Sequence, residues 1–166
     1  MKLIFLVAAL AVAASAQRVS VEFDEARDYS GFRTFTLRDG TLHSKNPSLN
    51  NPLVKKKIEA AIRERLTERG LKEVESRPDL NVRYSLGAGP RTQLEAYPAG
   101  WRGYGTRVVA EHYTEGTLVL DLRDARKHEL VWRAIAIEDK SDPLKIQDHL
   151  ADMVKKAVEK YPPKKK

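Results

Sequence analysis

"EGTLVLDLRDARKHELVWRA", from Glu115 to Ala134, decides what kind of fold this chain makes. Leu118, Leu120 and Leu122 alternate with Thr117, Val119 and Asp121. Successive strand residues point to opposite sheet faces, so this is a half-buried strand. After the polar turn "DARKH", Leu130, Trp132 and Ala134 repeat the alternation. Pairing Arg123 with Glu129 sets Leu120 opposite Trp132 and Leu118 opposite Ala134, which gathers the large apolar residues on one face. Asp121 then falls opposite Val131 and diagonal to Arg133, where it serves as a cross-strand charge pair rather than a catalytic acid. The stretch reads as a hairpin, with Trp132 and Leu120 in the core.

Outward from the hairpin, the same periodicities place the other elements. "RVSVEFD" (Arg18–Asp24) alternates as a strand, and "RTFTL" (Arg33–Leu37) is a second, with Phe35 and Leu37 on one face. Residues 38–51, broken by Gly40 and Pro47, read as a loop. Asn51-Pro52 opens a helix, because Asn caps free amides and Pro fits the first helical position. Val54, Ile58, Ile62 and Leu66 recur every fourth residue, and Gly70 ends the helix. "LKEVE" (Leu71–Glu75) and "LNVRYSL" (Leu80–Leu86) are further strands. Residues 87–105, "GAGPRTQLEAYPAGWRGYG", read as a long loop, and Thr106–Thr114 begins the next strand. Asp142-Pro143 repeats the cap-and-proline start, and an apolar stripe from Leu144 to Val158 runs until Pro162-Pro163. The expected fold is α+β: a meandering, mainly antiparallel sheet with two helices on one face, a two-layer sandwich.

The first sixteen residues stand apart. Met1-Lys2, an apolar run from Leu3 to Ala14 and "ASA" (Ala14–Ala16) form the three regions of a secretory signal peptide. Cleavage is expected after Ala16, leaving one domain over residues 17–163 and a basic tail over 164–166. The chain has no cysteine, so neither a disulfide nor a lipid-bearing lipobox is available. The product is expected to be periplasmic or secreted. Thirty Lys and Arg face 23 Asp and Glu, a net of +7, with Lys164, Lys165 and Lys166 holding part of the excess. Acids interleave the rest, as in "KKKIEAAIRERLTERG", which argues against a nucleic-acid stripe but leaves attraction to anionic headgroups or glycans.

"PLVKKKIEAAIRERLTERGLKEVESRPDLNVRYSL", then an aromatic-glycine segment, then "YTEGTLVLDLRDARKHELVWRA" and a last helix ending "YPP" together resemble the bacterial family known as domain of unknown function 4136. The upstream "DYSGFRTFTL" fits as well, so the resemblance spans about Arg18 to Pro163. It implies an exported envelope protein; many members are lipid-anchored, and this chain departs from them in lacking the lipobox Cys. It implies no activity and no catalytic residue.

No reactive constellation emerges from the residues themselves. His43, His112, His128 and His149 are scattered, without ligand spacing, so no metal or cofactor is expected. There is no Cys and no Gly-x-Ser-x-Gly nucleophile motif, and "GAGPR" (Gly87–Arg91) lacks the Gly-Lys-Ser/Thr ending of a phosphate loop. Glu22 and Asp24 lie on the polar face of an outer strand, a poor setting for a glycosidase acid pair. The chain is therefore expected not to be an enzyme. The best candidate for recognition is the group Tyr97, Trp101, Arg102, Tyr104 and Arg107, because aromatics with arginine stack on sugars and grip protein partners. The expected role is a non-catalytic binding or structural module of the envelope. Its partner would be an envelope protein or an anionic glycan or lipid headgroup. A carrier of small molecules or lipids and a hydrolase are the alternatives.

Overall fold

The computed structural model describes residues 17–98, 106–140 and 142–164. Residues 1–16, where the signal peptide is expected, residues 99–105 with Trp101, Arg102 and Tyr104, Ser141 and the last two lysines lie outside the described residues. Nine elements follow in chain order: β1 (Arg18–Phe23), β2 (Thr34–Leu37), β3 (Thr41–Ser44), α1 (Pro52–Glu68), β4 (Lys72–Glu73), β5 (Leu80–Pro98), β6 (Thr106–Asp124), β7 (Leu130–Lys140) and α2 (Pro143–Val158). The strands form one seven-stranded sheet in the order β1-β7-β6-β5-β2-β4, with β3 also on β5.

The class is α+β, and the sheet is mixed, with antiparallel and parallel pairs. β1 with β7, β7 with β6, and β6 with β5 are antiparallel. β2 runs parallel to both β4 and β5, and β3 runs parallel to β5. The cause is α1, which lies between β2 and β4 in the chain and returns it to the same end of the sheet, as a crossover helix does. A sequence read as successive hairpins misses this, since parallel neighbours arise from connections and not from periodicity.

Both helix starts form as their sequences dictate. Asn51 Oδ1 accepts from the amides of Leu53 and Val54, and Asp142 Oδ1 accepts from Leu144. Gly70, at φ 84, follows α1 in the left-handed conformation that glycine tolerates. The helices run side by side in the same direction: Lys57 Nζ donates to the Gln147 carbonyl near their starts, and Arg69 donates to the Glu159 carbonyl at their ends. Register places Tyr84 opposite Leu120 and Ala88 opposite Gly116, on one sheet face. There the Tyr84 hydroxyl meets Glu59 of α1, and Gly116 leaves room for Ile146 of α2. Phe35, Leu80, Leu120, Leu122, Trp132 and Ile62 are fully buried in this core.

The hairpin register is two residues away from the sequence-derived pairing. Leu122 faces Trp132, Leu120 faces Ala134 and Leu118 faces Ala136. Arg123 pairs with Leu130, leaving Val131 as the extra residue of a bulge. The turn sets this: Asp124 N–H donates to the Glu129 carbonyl, and His128 takes a positive φ of 61°. One consequence corrects a face assignment, since Leu130 is exposed while Val131 is buried. A second puts Asp121 directly opposite Arg133, not Val131.

Two segments read as loops contain strands. β3 sits inside the stretch 38–51, and β5 continues through Gly87–Pro98 in unbroken register with β6. Strands admit proline and glycine where a neighbouring strand is missing on one side, so composition alone misled there. "LKEVE" contributes only the two residues of β4.

Candidate functional site

A polar cleft of about 550 Å³ lies where the β1–β2 connection meets the β6–β7 turn. Arg27 is its hub. Its guanidinium reaches Glu129 Oε2 at 2.7 Å, Asp124 Oδ2 at 3.4 Å and Asp24 Oδ2 at 3.9 Å. Asp124 Oδ1 also accepts from the amides of Arg126 and Lys127, at 2.9 and 3.1 Å. Asp79 closes the other wall. Its Oδ2 accepts from the amides of Arg33 and Thr34 and from the Thr34 hydroxyl, and Arg126 lies 3.7 Å from its second oxygen.

These carboxylates are set up to hold backbone, not to exchange protons. Burial pushes the Asp79 carboxyl up, but the donors from Arg33 and Thr34 outweigh it and hold it below the ordinary carboxylate range. Asp124 behaves alike: burial opposes ionisation, and the Lys127 and Arg126 amides with the Arg27 charge more than offset it. A general acid needs the opposite shift. Each of these acids has a lower affinity for protons folded than unfolded. Their contribution to stability is complete above the unfolded carboxylate value of about 4 and is lost as pH falls through the folded one. Thermal midpoints of the wild type should therefore fall steeply below about pH 4. Asp79→Asn with Asp124→Asn should be less stable at neutral pH and show a shallower acid slope. An unchanged slope would refute the linkage.

Asp121 is likewise engaged. Arg133 grips it bidentately, Nε to Oδ1 at 2.7 Å and Nη2 to Oδ2 at 2.8 Å. The pair that the sequence reading placed on a diagonal is thus direct. Among the described residues no group of three His, Cys, Asp or Glu side chains could hold a metal ion. No helix among them is long and apolar enough to cross a membrane.

Of the residues singled out for recognition, Tyr97 and Arg107 are brought together as register partners. They stand one pair from the end of the β5–β6 ribbon, which closes at Pro98 and Thr106. Trp101, Arg102 and Tyr104 fall outside the described residues, in the segment joining the two strands. Sequence reasoning missed the Arg27 hub altogether, because its two nearer partners, Glu129 and Asp124, lie about a hundred residues away.

Comparison with known proteins adds a family and a fold. The protein-family model described as Domain of unknown function (DUF4136) matches residues 19–163. A DUF4136 family protein from Bacteroides thetaiotaomicron is similar in structure, with TM-score 0.56 and 18% identity over 88% of this chain and 96% of that one. A PDZ domain protein from Parabacteroides distasonis has TM-score 0.62 and 14% identity over 90% of this chain; the match spans 37% of that longer protein. PelC from Paraburkholderia phytofirmans, solved as a dodecamer, has TM-score 0.52 and 11% identity over 86% of this chain and 95% of its own. At such identities these likenesses establish the fold alone. No curated protein matches the chain in sequence.

Proposed function

The chain belongs to the DUF4136 family, a domain of unknown function, over residues 19–163, and on that premise we propose that it is an exported, non-catalytic binding or structural module of the cell envelope. In this reading residues 1–16 are removed after Ala16, and the periplasmic or secreted product is a two-layer α+β domain without a lipid anchor. The observation that carries the reading is the β5–β6 ribbon. Its pairs run on from Arg91 and Tyr113 to Pro98 and Thr106, beyond the last β6–β7 pair, Thr114 with Lys140, and the last β3–β5 pair, Ser44 with Ala88. At about 3.3 Å per residue this arm extends roughly 23 Å past its neighbours. A two-stranded ribbon is marginal on its own, so an arm of this length is a natural platform for a partner. Tyr97 and Arg107 near its end, with Trp101, Arg102 and Tyr104 in the adjoining segment, supply the aromatic and cationic groups for it.

The alternatives are less well supported. A carrier needs space between sheet and helices, whereas Phe35, Leu120 and Trp132 are completely buried there. A hydrolase needs an acid with raised proton affinity, whereas Asp79 and Asp124 are shifted the other way. One observation favours a variant of the main reading. PelC shares the fold and is a dodecamer, so the partner gripped by the ribbon could be further copies of this chain.

Protein recovered from the periplasm, with an intact mass beginning at Gln17 and no acyl addition, is the material for the test. Trp101→Ala with Tyr104→Ala should leave the melting temperature nearly unchanged and abolish capture of envelope components. Light scattering on a sizing column separates the variants of the reading: a large assembly that the double substitution dissolves identifies the chain as its own partner. A double variant that still captures and still assembles would sink the proposal.

A further inference from the structure

The sheet face opposite Tyr84 and Gly116 carries a second feature, independent of the ribbon. Register sets Asn81 opposite Arg123, Arg83 opposite Asp121 and Ser85 opposite Val119 on that face. Arg38, just after β2, joins them, its Nε donating to Asn81 Oδ1 at 2.8 Å. A depression of about 230 Å³ opens here, lined by Asp39, Thr41, Arg83, Ser85, Asp121 and Arg123 among others.

The charges in this depression do not cancel. Both of its acids are taken from outside it: Asp39 by Lys55 Nζ at 3.2 Å, and Asp121 through both oxygens by Arg133. Among the described residues no carboxylate lies within ion-pair distance of Arg83, Arg123 or Arg38. Elsewhere Arg18, Arg27, Arg63, Arg65, Arg126 and Arg133 have one, and Arg33, Arg69 and Arg77 have none among the described residues, so what sets Arg38, Arg83 and Arg123 apart is that they gather at one place on the sheet. Like charges gathered on one sheet face repel and do not stabilise the fold. Arg83 and Arg123 line the depression with Thr41 and Ser85, and Arg38 stands at its margin on Asn81, an arrangement suited to an anion.

We propose that this depression binds a phosphate group, held by Arg83 and Arg123 with Arg38 and the two hydroxyls completing the cradle. The planar fork of arginine matches phosphate oxygens bidentately. The volume is below the roughly 300–1,000 Å³ of sites that enclose a drug-sized ligand, so it suits a single oxyanion group rather than an entire molecule. Such a group can be free phosphate or the headgroup of an anionic phospholipid, with the rest of the lipid outside.

The test uses the mature full chain and two probes, inorganic phosphate followed by amide NMR shifts, and vesicles of phosphatidylcholine with or without phosphatidylglycerol followed by co-sedimentation. Arg83→Gln with Arg123→Gln should weaken binding by about tenfold or more, since it removes charge-assisted hydrogen bonds to the anion. Lys56→Gln with Lys160→Gln removes the same charge from exposed positions on α1 and just after α2 and should leave binding almost unchanged. Binding of both probes, or of phosphate alone, supports the site with free phosphate as a sufficient ligand. Binding of phosphatidylglycerol vesicles alone, lost in the arginine variant, supports it with the headgroup as ligand. Equal losses in the arginine and lysine variants, or no binding of either probe, overturn the proposal.

Discussion

Trp132→Ala should cost about 3–5 kcal/mol and shift the denaturant midpoint accordingly, the largest effect of any single substitution considered for this domain. Trp132 is fully buried, opposite Leu122 on one side and Phe23 of β1 on the other. Tyr161 packs edge-on against it, with centroids 5.7 Å apart and planes at 83°. Tyr29 in turn meets Tyr161, Phe23 and Phe32, so the indole anchors a run of aromatics that ties the end of α2 to β1 and its turn. Truncation removes the shared wall of these contacts, and the surrounding rings cannot collapse into a space of that size. A sharper form of the prediction uses the indole nitrogen. Trp132 Nε1 is buried with no hydrogen-bond partner among the described residues. Trp132→Phe keeps most of the packing and removes a donor whose burial costs about 1–3 kcal/mol. It should therefore be markedly milder than the alanine variant. Circular dichroism melts in urea decide both, and a midpoint that hardly moves in the alanine variant would mean that Trp132 is not the keystone.

What the sequence made legible follows the periodic part of the fold. The helix starts at Asn51 and Asp142 were readable because capping is local chemistry within three residues. The burial of Leu118, Leu120, Leu122, Trp132 and Ala134 was readable because alternation by two survives any choice of partner strand. The register was not. It depends on how the chain turns between Asp124 and Glu129: the turn moves the pairing by one residue and the extra residue at Val131 by one more, which preserves the face of Leu118, Leu120 and Leu122 and turns Leu130 outward. The parallel pairing of β2 and β3 with β5 was hidden for a different reason, since it is decided by the path of the α1 crossover. Glycine and proline between Gly87 and Pro98 disguised the second half of β5 as a loop. For the candidate sites the boundary is similar. Tyr97 and Arg107 could be singled out by type, and their pairing across a ribbon could not. Arg38, Arg83 and Arg123 lie far apart in the chain, and only the sheet reveals that their acidic neighbours are spoken for.

Gly40→Ala is the second large effect, and its cause is a contact rather than a backbone angle. A β-carbon at Gly40 would sit 2.0 Å from Tyr84 Cζ and 2.2 Å from Cε1, inside the ring. Tyr84 has little freedom to retreat. It is 4% exposed, and its hydroxyl donates to Glu59 Oε1 at 3.1 Å. Burial, and then the Glu59 charge, hold that hydroxyl far above its ordinary proton affinity, so it remains a donor across the accessible pH range. Accommodating the methyl group means moving the ring away from Glu59 or the 38–41 segment away from β5, and overpacking of this kind costs about 1–3 kcal/mol, occasionally more. The mechanism makes a second demand. If the ring is the obstacle, Gly40→Ala should cost almost nothing in a Tyr84→Leu background, where the site of the clash is empty. The two substitutions would then be strongly non-additive, as expected for residues in contact. Four unfolding curves close the cycle. Additive costs would show instead that glycine is needed at position 40 for its backbone, and that Tyr84 merely passes by.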